Sequence, residues 1–329
     1  SITGHYDGDQ PGAMHYYRQH MQSASPAREQ HYLIIGPWDH AGTRTPKQEF
    51  GGLTLGEASL LDMNQLHKEW YDWTLKDGAR PEFLKKRVAY YVLGAEAWKY
   101  ADSLDTISGV TRRLYLNSLN GQANDVFHSG TLDETPATDA SPDHYVYDPL
   151  DTGPEELERE DVKDYWTDQR YALNLFGNGL LYHSSPFSAD TEVTGYLKLV
   201  VWIALDVPDT DFVAVVSEIL PDGKHIHLTQ DMVRARYRQS LRQEKLVRAG
   251  EINRYEFTGF TFFSRRVSKG SRLRLLFSCP NSIYHEKNYN GGGVVAEESG
   301  KDARTAHVTV FHDPDHSSYL ELPVVESSR

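Results

Sequence analysis

An imidazole works as a general base near neutral pH when a carboxylate holds its far nitrogen and leaves the other nitrogen free. Two residues near the start of this chain are spaced for that arrangement. Asp7 lies in SITGHYDGD, and His40 closes HYLIIGPWDH. Singly, each is ordinary: an Asp before Gly8 is common turn chemistry, and a His after a strand usually packs or faces water. The pair says more, because one helix and one strand separate the two. Such an Asp would fix the imidazole tautomer and stabilise the imidazolium during acyl transfer to a nucleophile. Tyr6, Trp38 and Asp39 adjoin the pair and are expected close to substrate.

The elements that must position these residues can be read in order. Pro11 and Gly12 open a helix over 11–21, with Met14, Tyr17 and Met21 on one apolar face. Residues 32–35 (YLII) form a short buried strand, ended by Gly36-Pro37. A second helix is expected over 57–76, where Leu60, Met63, Leu66, Trp70 and Trp73 recur at intervals of three and four before Asp77-Gly78. Strand, helix, strand, helix is an α/β pattern, and two strands make it the end of a mostly parallel sheet.

From Val88 helical periodicity gives way to short β-rich runs at 88–93, 112–116, 195–205, 211–220, 225–229, 254–263, 272–278, 305–311 and 319–325. Pro221-Asp222-Gly223 and Lys269-Gly270 are turn signals between them. Residues 197–205 are apolar on both faces, which predicts a central strand. The polar stretch 118–165 is expected to be surface loop. The expectation is an α/β unit over 1–80 and an all-β jelly-roll sandwich over 81–329.

Bulk properties narrow the function classes. The 329 residues carry a formal charge of −13, which argues against nucleic acid as a partner. No apolar run of about 18 residues is present for a membrane span. The single cysteine, Cys279, excludes an internal disulfide framework and leaves the compartment open. The opening at Ser1, without Met and already in domain-like sequence, leads to the expectation that this is the C-terminal part of a longer protein.

GHYDGDQPG followed by LIIGPWDH resembles the acid and histidine segments of the cocaine-esterase-like (CocE/NonD) hydrolases. These are related to the X-Pro dipeptidyl-peptidases, the α-amino-acid ester hydrolases and the glutaryl acylases. Tyr6-Asp7-Gly8 and Gly36-Pro37-Trp38-Asp39-His40 match the family's G-W-Y-D-G and G-P-W-x-H patterns; His5 stands where the family often has Trp. WYDWTLKDG (70–78) resembles the segment closing the hydrolase domain. Residues 193–238, 269–281 and 307–325 are similar to successive strands of the family's C-terminal jelly roll.

The resemblance implies an α/β-hydrolase C-terminal fragment followed by a jelly-roll sandwich, with Asp7 and His40 as catalytic acid and base. It implies a serine ester or amide hydrolase with no cofactor. Its partners would be a small ester, amide or peptide substrate and an N-terminal segment; homo-oligomerisation stays open. One departure is decisive. The family's nucleophile elbow, G-x-S-x-x-G, occurs at no Ser of this sequence; Ser268 has a Gly on one side only. The serine, its oxyanion donors and the helical cap are therefore expected outside this chain.

Other groupings are weaker. His225 and His227 share a strand face but lack a third ligand, and Pro314 between His312 and His316 argues for a loop, so no metal is expected. Asn290-Gly-Gly-Gly293 lacks the context of a phosphate loop, and the charged run 155–164 reads as a solvated face. An X-Pro dipeptidyl-peptidase or an acylase is the alternative within the family. A non-enzymatic β-sandwich binding module is the alternative from another class.

Overall fold

The computed structural model describes residues 1–325 except 108, 139, 140 and 159–162. Part of the charged run 155–164 thus lies outside the described residues.

Strand β1 (Ile2–Tyr6) leads through a tight turn into helix α1 (Gln10–Gln22). Strand β2 (Leu33–Asp39) returns beside β1 and parallel to it, pairing Ile2 with Ile34 and Gly4 with Gly36. A small hairpin of β3 (Glu49–Phe50) and β4 (Leu53–Thr54) precedes α2 (Met63–Leu75). This helix is shorter than its apolar periodicity predicts. Asp62 caps it, accepting from the Gln65 N–H at 2.9 Å, so the upstream residues turn instead of extending the helix.

Strands β5 (Val88–Val92) and β6 (Ala97–Ala101) complete the first sheet in the order β1-β2-β5-β6. This corrects the expectation that 88–93 opens the sandwich. Val88, Ala89 and Tyr90 pair in parallel with residues 33–35 of β2. All five residues of β5 are buried, as befits a strand covered on both faces. Met14 and Tyr17 of α1 cover Leu33, Ile35, Val88 and Tyr90 on one face. Met63 and Leu66 of α2 cover Ile34, Trp38 and Ala89 on the other. The unit is a three-layer α/β/α arrangement.

The remaining strands are β7 (Val110–Asn117), β8 (Gly130–Asp133), β9 (Asp143–Tyr147), β10 (Gly179–Ser184), β11 (Thr191–Gly195), β12 (Lys198–Leu205) and β13 (Asp211–Ile219), followed by β14 (His225–Arg234), β15 (Asn253–Phe257), β16 (Phe263–Val267), β17 (Arg272–Ser278), β18 (Ala306–Phe311) and β19 (Tyr319–Val324). They form a mostly antiparallel path, β14-β13-β17-β10-β8-β7-β19-β12-β18-β9, with β11, β15 and β16 attached at its sides. The path folds over one core in which Phe212, Val216, Leu275 and Phe277 meet Leu199, Val201, Ile203 and Val310. It is a β-sandwich.

β12 is central as expected, flanked by β15, β18 and β19. Its second face is only partly covered, where Trp202 meets His316 at 5.2 Å. The polar stretch 118–165 contains two strands that its composition hides. In β9 the buried residues Asp143, Tyr145 and Tyr147 alternate with exposed ones.

Two glycines let β1 and β2 lie together. A Cβ on Gly4 would stand 2.0 Å from the Trp38 carbonyl oxygen, and one on Gly36 would stand 2.1 Å from Trp38 Cε3. Trp38 itself is 1% exposed and donates from Nε1 to the Ser59 carbonyl at 2.8 Å. The ring cannot yield, so Gly36→Ala is expected to destabilise the chain by about 1–3 kcal/mol through overpacking. Urea unfolding of the two proteins measures it; equal midpoints at equal slope would contradict the packing argument.

Candidate active site

β1 and β2 run parallel, so their C-terminal ends emerge at the same edge of the sheet. Asp7 follows β1 directly, and His40 follows β2. β2 runs four residues past the predicted strand end, through Gly36-Pro37-Trp38-Asp39. A register shift between Gly4 and Tyr6 sets Tyr6 against Asp39, which brings the two strand ends level. His40 then opens a 3-10 turn over Ala41–Thr43, and the Thr43 hydroxyl donates to its carbonyl at 2.7 Å.

The Asp7 side chain is buried, 4% exposed, and its oxygens are fully engaged. Oδ2 accepts from the Thr3 hydroxyl at 3.0 Å. Oδ1 accepts from the Asp9 N–H at 2.9 Å and faces His40 Nδ1 at 3.0 Å. A carboxylate at that distance assigns the imidazole proton to Nδ1. The opposite nitrogen, Nε2, has no hydrogen-bond partner among the described residues, and the His40 side chain is 51% exposed. A lone pair held outward on a fixed ring is what proton abstraction requires.

Asp9 is also close, with Oδ2 3.4 Å from His40 Nδ1. Asp7, Asp9 and His40 form the one group of three such donors within 4.8 Å of one another among the described residues. The Asp7 oxygens are already committed to hydrogen-bond donors, so the group reads as an imidazole between two carboxylates rather than a metal cage. His225 and His227 do not converge on an ion: His225 Nε2 meets the Ser217 hydroxyl at 2.7 Å, and the His227 ring lies against Trp166 at 4.9 Å.

The three neighbours expected near substrate are placed differently. Trp38 belongs to the core between α2 and the sheet. Asp39 accepts from the Gly42 N–H at 2.8 Å and so shapes the turn that carries His40. Tyr6 is 7% exposed, and its hydroxyl donates to the His227 carbonyl at 3.0 Å. Each braces the site from behind.

Sequence reasoning passes over residues that the sandwich supplies. Trp166 packs on Tyr6 at 4.8 Å and on Tyr165 at 4.2 Å. The Tyr165 phenol is pushed up to about 12, first by burial and then by the charges of Asp39 and Tyr284. Gly51 and Gly52, at φ +54° and +85°, let the β3–β4 turn lie against Trp166 and Thr167. Gln10 is missed as well. It is 1% exposed; its Nε2 donates to Gly4 O at 3.0 Å and Phe262 O at 2.8 Å, and its Oε1 accepts from Phe262 N at 2.7 Å. A lone Gln in a helix pattern carries no signal of this.

A second Ser–His–Asp grouping lies in the sandwich and illustrates what the first one has. Ser118 Oγ and Asp143 Oδ2 stand 3.3 and 3.1 Å from His312, but both face the same nitrogen, Nε2. Asp143 therefore cannot orient a base toward Ser118. The His312 and Asp143 side chains are both fully buried, out of reach of substrate. Ser268 lies in the turn before β17, where its N–H donates to Glu218 Oε1 at 3.2 Å. No Ser hydroxyl hydrogen-bonds to His40 among the described residues.

The fold and the site define a β-sandwich protein with a mostly parallel sheet that presents an imidazole–carboxylate pair. Residues 82–321 match the X-Pro dipeptidyl-peptidase C-terminal non-catalytic domain. The chain belongs to that family, and it is similar to CocE/NonD hydrolases. It is 28% identical over 300 residues to cocaine esterase of Rhodococcus sp. (strain MB1 Bresler), which covers 89% of this chain and 51% of that protein. The fold is similar to that of an α-amino acid ester hydrolase (TM-score 0.79, 20% identity, 98% of this chain and 54% of the other). It is also similar to that of a CocE/NonD family hydrolase from Staphylococcus aureus (TM-score 0.65, 16% identity, 99% of this chain and 53% of the other). The chain thus spans about half the length of each. Asp7 and His40 lie upstream of the matched domain, whereas β5 and β6 lie inside it and still complete the first sheet.

Burial beside the site has a consequence for acid stability. His5 donates from Nε2 to the Tyr91 carbonyl at 2.9 Å, and burial lowers its pKa from 6.5 to about 4. Burial likewise lowers His227 to about 3. Both stay neutral in the folded state while the unfolded chain takes up protons from about pH 6.5 downward. Their stability contribution is full above pH 6.5 and is lost as pH falls toward 4 and 3. Each such His adds a slope of up to about 1.4 kcal/mol per pH unit. Urea unfolding of wild type and His5→Gln between pH 7 and 5 is expected to show a shallower loss in the variant. Identical slopes would place the acid sensitivity elsewhere.

Proposed function

We propose that this chain is the acid–base half of a serine hydrolase acting on ester or amide bonds. Asp7 and His40 would be its dyad, and the nucleophilic serine would come from polypeptide outside residues 1–329. The observation that carries this reading is the 3.0 Å contact between His40 Nδ1 and Asp7 Oδ1, made where two parallel strands end, with Nε2 left open.

In the proposed reaction the serine hydroxyl attacks the acyl carbon while His40 Nε2 takes its proton. Asp7 holds the imidazole upright and stabilises the imidazolium. His40 then protonates the departing alcohol or amine. A water, deprotonated by the same nitrogen, releases the acid and frees the serine. The Ser–Asp–His chain order of α/β-hydrolases fits a serine located upstream. So does β1, the terminal strand of its sheet, which offers an edge for further parallel strands. The first unit is then the end of an α/β-hydrolase sheet. In this reading the sheet extends past residue 80, since β5 and β6 complete it.

The relatives' names support ester or amide chemistry, and a dipeptidyl-peptidase or acylase specificity belongs to the same reading. Purified 1–329 is expected not to turn over p-nitrophenyl esters. Joined to its upstream-encoded segment, it should turn them over, and His40→Ala or Asp7→Asn in that joined protein should lower kcat by about 10³-fold or more. Stoichiometric fluorophosphonate labelling of one serine in 1–329 alone would overturn the proposal.

A further inference from the structure

Strand β17 alternates between two faces. Leu273, Leu275 and Phe277 enter the sandwich core, so Arg272 and Arg274 stand together on the opposite face. Arg274 is 6% exposed. A buried guanidinium ordinarily meets a carboxylate. Arg265 does so with Glu218 at 2.6 Å, and Arg236 with Asp209 at 2.7 Å. Arg274 meets none among the described residues. Its Nε donates to His183 Nε2 at 2.9 Å, and its Nη1 to the Ala172 carbonyl at 3.5 Å. Burial lowers its pKa to about 10 with no acidic neighbour opposing the effect, and the group stays charged at neutral pH.

The surroundings add further donors. Arg274 pairs in register with His183 of β10 and Ser217 of β13. Because His183 Nε2 accepts from Arg274, the imidazole proton is assigned to Nδ1. Burial, and then the charges of Arg274 and Arg272, lower the pKa of this ring to about 4 and keep it neutral. Its Nδ1–H has no partner among the described residues, and the residue is only partly buried. Arg272 is exposed and engages through Nη1 alone, with the Ser184 carbonyl at 3.2 Å. Farther along the row the Ser217 hydroxyl is taken by His225 Nε2 at 2.7 Å. Asp168, from the segment that brings Ala172 to Arg274, is held by Arg170 at 2.8 Å. Two guanidiniums and one imidazole N–H therefore share a patch of a chain whose formal charge is −13.

We propose that Arg274, Arg272 and the Nδ1–H of His183 bind a phosphate group, which supplies the counter-charge that no side chain gives Arg274. Guanidinium forks match oxyanions, each offering parallel N–H donors. Donors from two strands and two kinds of side chain suit a tetrahedral anion, which presents oxygens in several directions, better than a planar carboxylate. The bond from Arg274 Nε to His183 holds the ring and leaves the outer amino groups of the fork for the ligand. The site belongs to the sandwich and stands independently of the Asp7–His40 reading.

The test uses 1–329 with inorganic phosphate as the probe, titrated against chloride at constant ionic strength. Isothermal titration gives the affinity, and the thermal midpoint should rise with phosphate as linkage requires. Arg274→Met removes a buried charge that has no carboxylate partner. It is expected to match or exceed the wild-type midpoint without phosphate and to lose the phosphate response. Arg274→Lys keeps the charge but not the fork, and Arg272→Gln removes the exposed fork; each should weaken phosphate binding by about tenfold or more. In ¹⁵N-histidine spectra the His183 Nδ1 signal, assigned with His183→Gln, should shift during titration of wild type and stay fixed in Arg274→Met. Phenyl phosphate as a second probe separates the sources: tighter binding than inorganic phosphate indicates a phosphorylated small molecule, and no tighter binding the free ion. A midpoint rise of equal size in wild type, Arg274→Met and Arg272→Gln overturns the proposal, because general salt stabilisation needs no site. So does a wild type that binds no phosphate, or one that binds acetate as tightly.

Discussion

The parallel pairing of β1 with β2 is the constraint from which the site follows. Parallel strands end on the same side of a sheet, so whatever follows each is delivered to one edge. Here that edge receives Asp7 and His40. The pairing needs two backbones and an indole in the space of two backbones alone, and Gly4 and Gly36 make that possible by lacking a Cβ toward Trp38. The apolar layers set by α1 and α2 then hold the pair of strands rigidly from both faces. A short, buried, glycine-relieved strand pair is a firm mount for two side chains that must meet within hydrogen-bond distance.

Exposure separates the Asp7–His40 and Asp143–His312 groupings more sharply than distance does. Asp143 and His312 approach as closely as Asp7 and His40, at 3.1 against 3.0 Å. In the sandwich both partners are fully buried and the Tyr182 hydroxyl also donates to Asp143 at 2.7 Å, so the polar cluster ties β9, β10 and the segment after β18 together inside the protein. At the sheet edge the carboxylate is buried and the imidazole is half out. That asymmetry fixes the acid in place and keeps one nitrogen of the ring accessible.

Much of this was legible in the sequence because the relevant signals are local. Asp7 and His40 stood out through their spacing around one helix and one strand. The antiparallel strands announced themselves by short β-rich runs between turn residues, and Asp62 marked the true start of α2 for a reader who weighs caps above periodicity. What stayed hidden depends on long-range pairing. Val88–Val92 looks like any buried strand, and only its partner, β2, says which sheet it joins. β8 and β9 are too short and too polar to rise above their surroundings. Trp38 and Tyr6 stand beside Asp7 and His40 in sequence, yet both are buried, Trp38 against α2 and Tyr6 against Trp166 and the His227 carbonyl, in strands covered on both faces. Gln10 and Trp166 matter through contacts with residues far away in the chain, which no motif encodes.

Gln10 also joins two parts of the molecule that composition separates. Its carboxamide spends its donors and acceptor on Gly4 and on Phe262, with no solvent between, one helical turn from Asp7. Beside it Leu93 N donates to Ser264 O and Arg266 N donates to Leu93 O, at 3.0 and 2.8 Å. Breaking such buried links one at a time leaves orphaned polar atoms, so they open together or not at all. In hydrogen exchange the amides of β1, of the Asp7 turn and of residues 262–266 should then belong to a single cooperative unit. The sandwich would act as the far jaw of a vice, setting how often the carboxylate–imidazole edge comes loose.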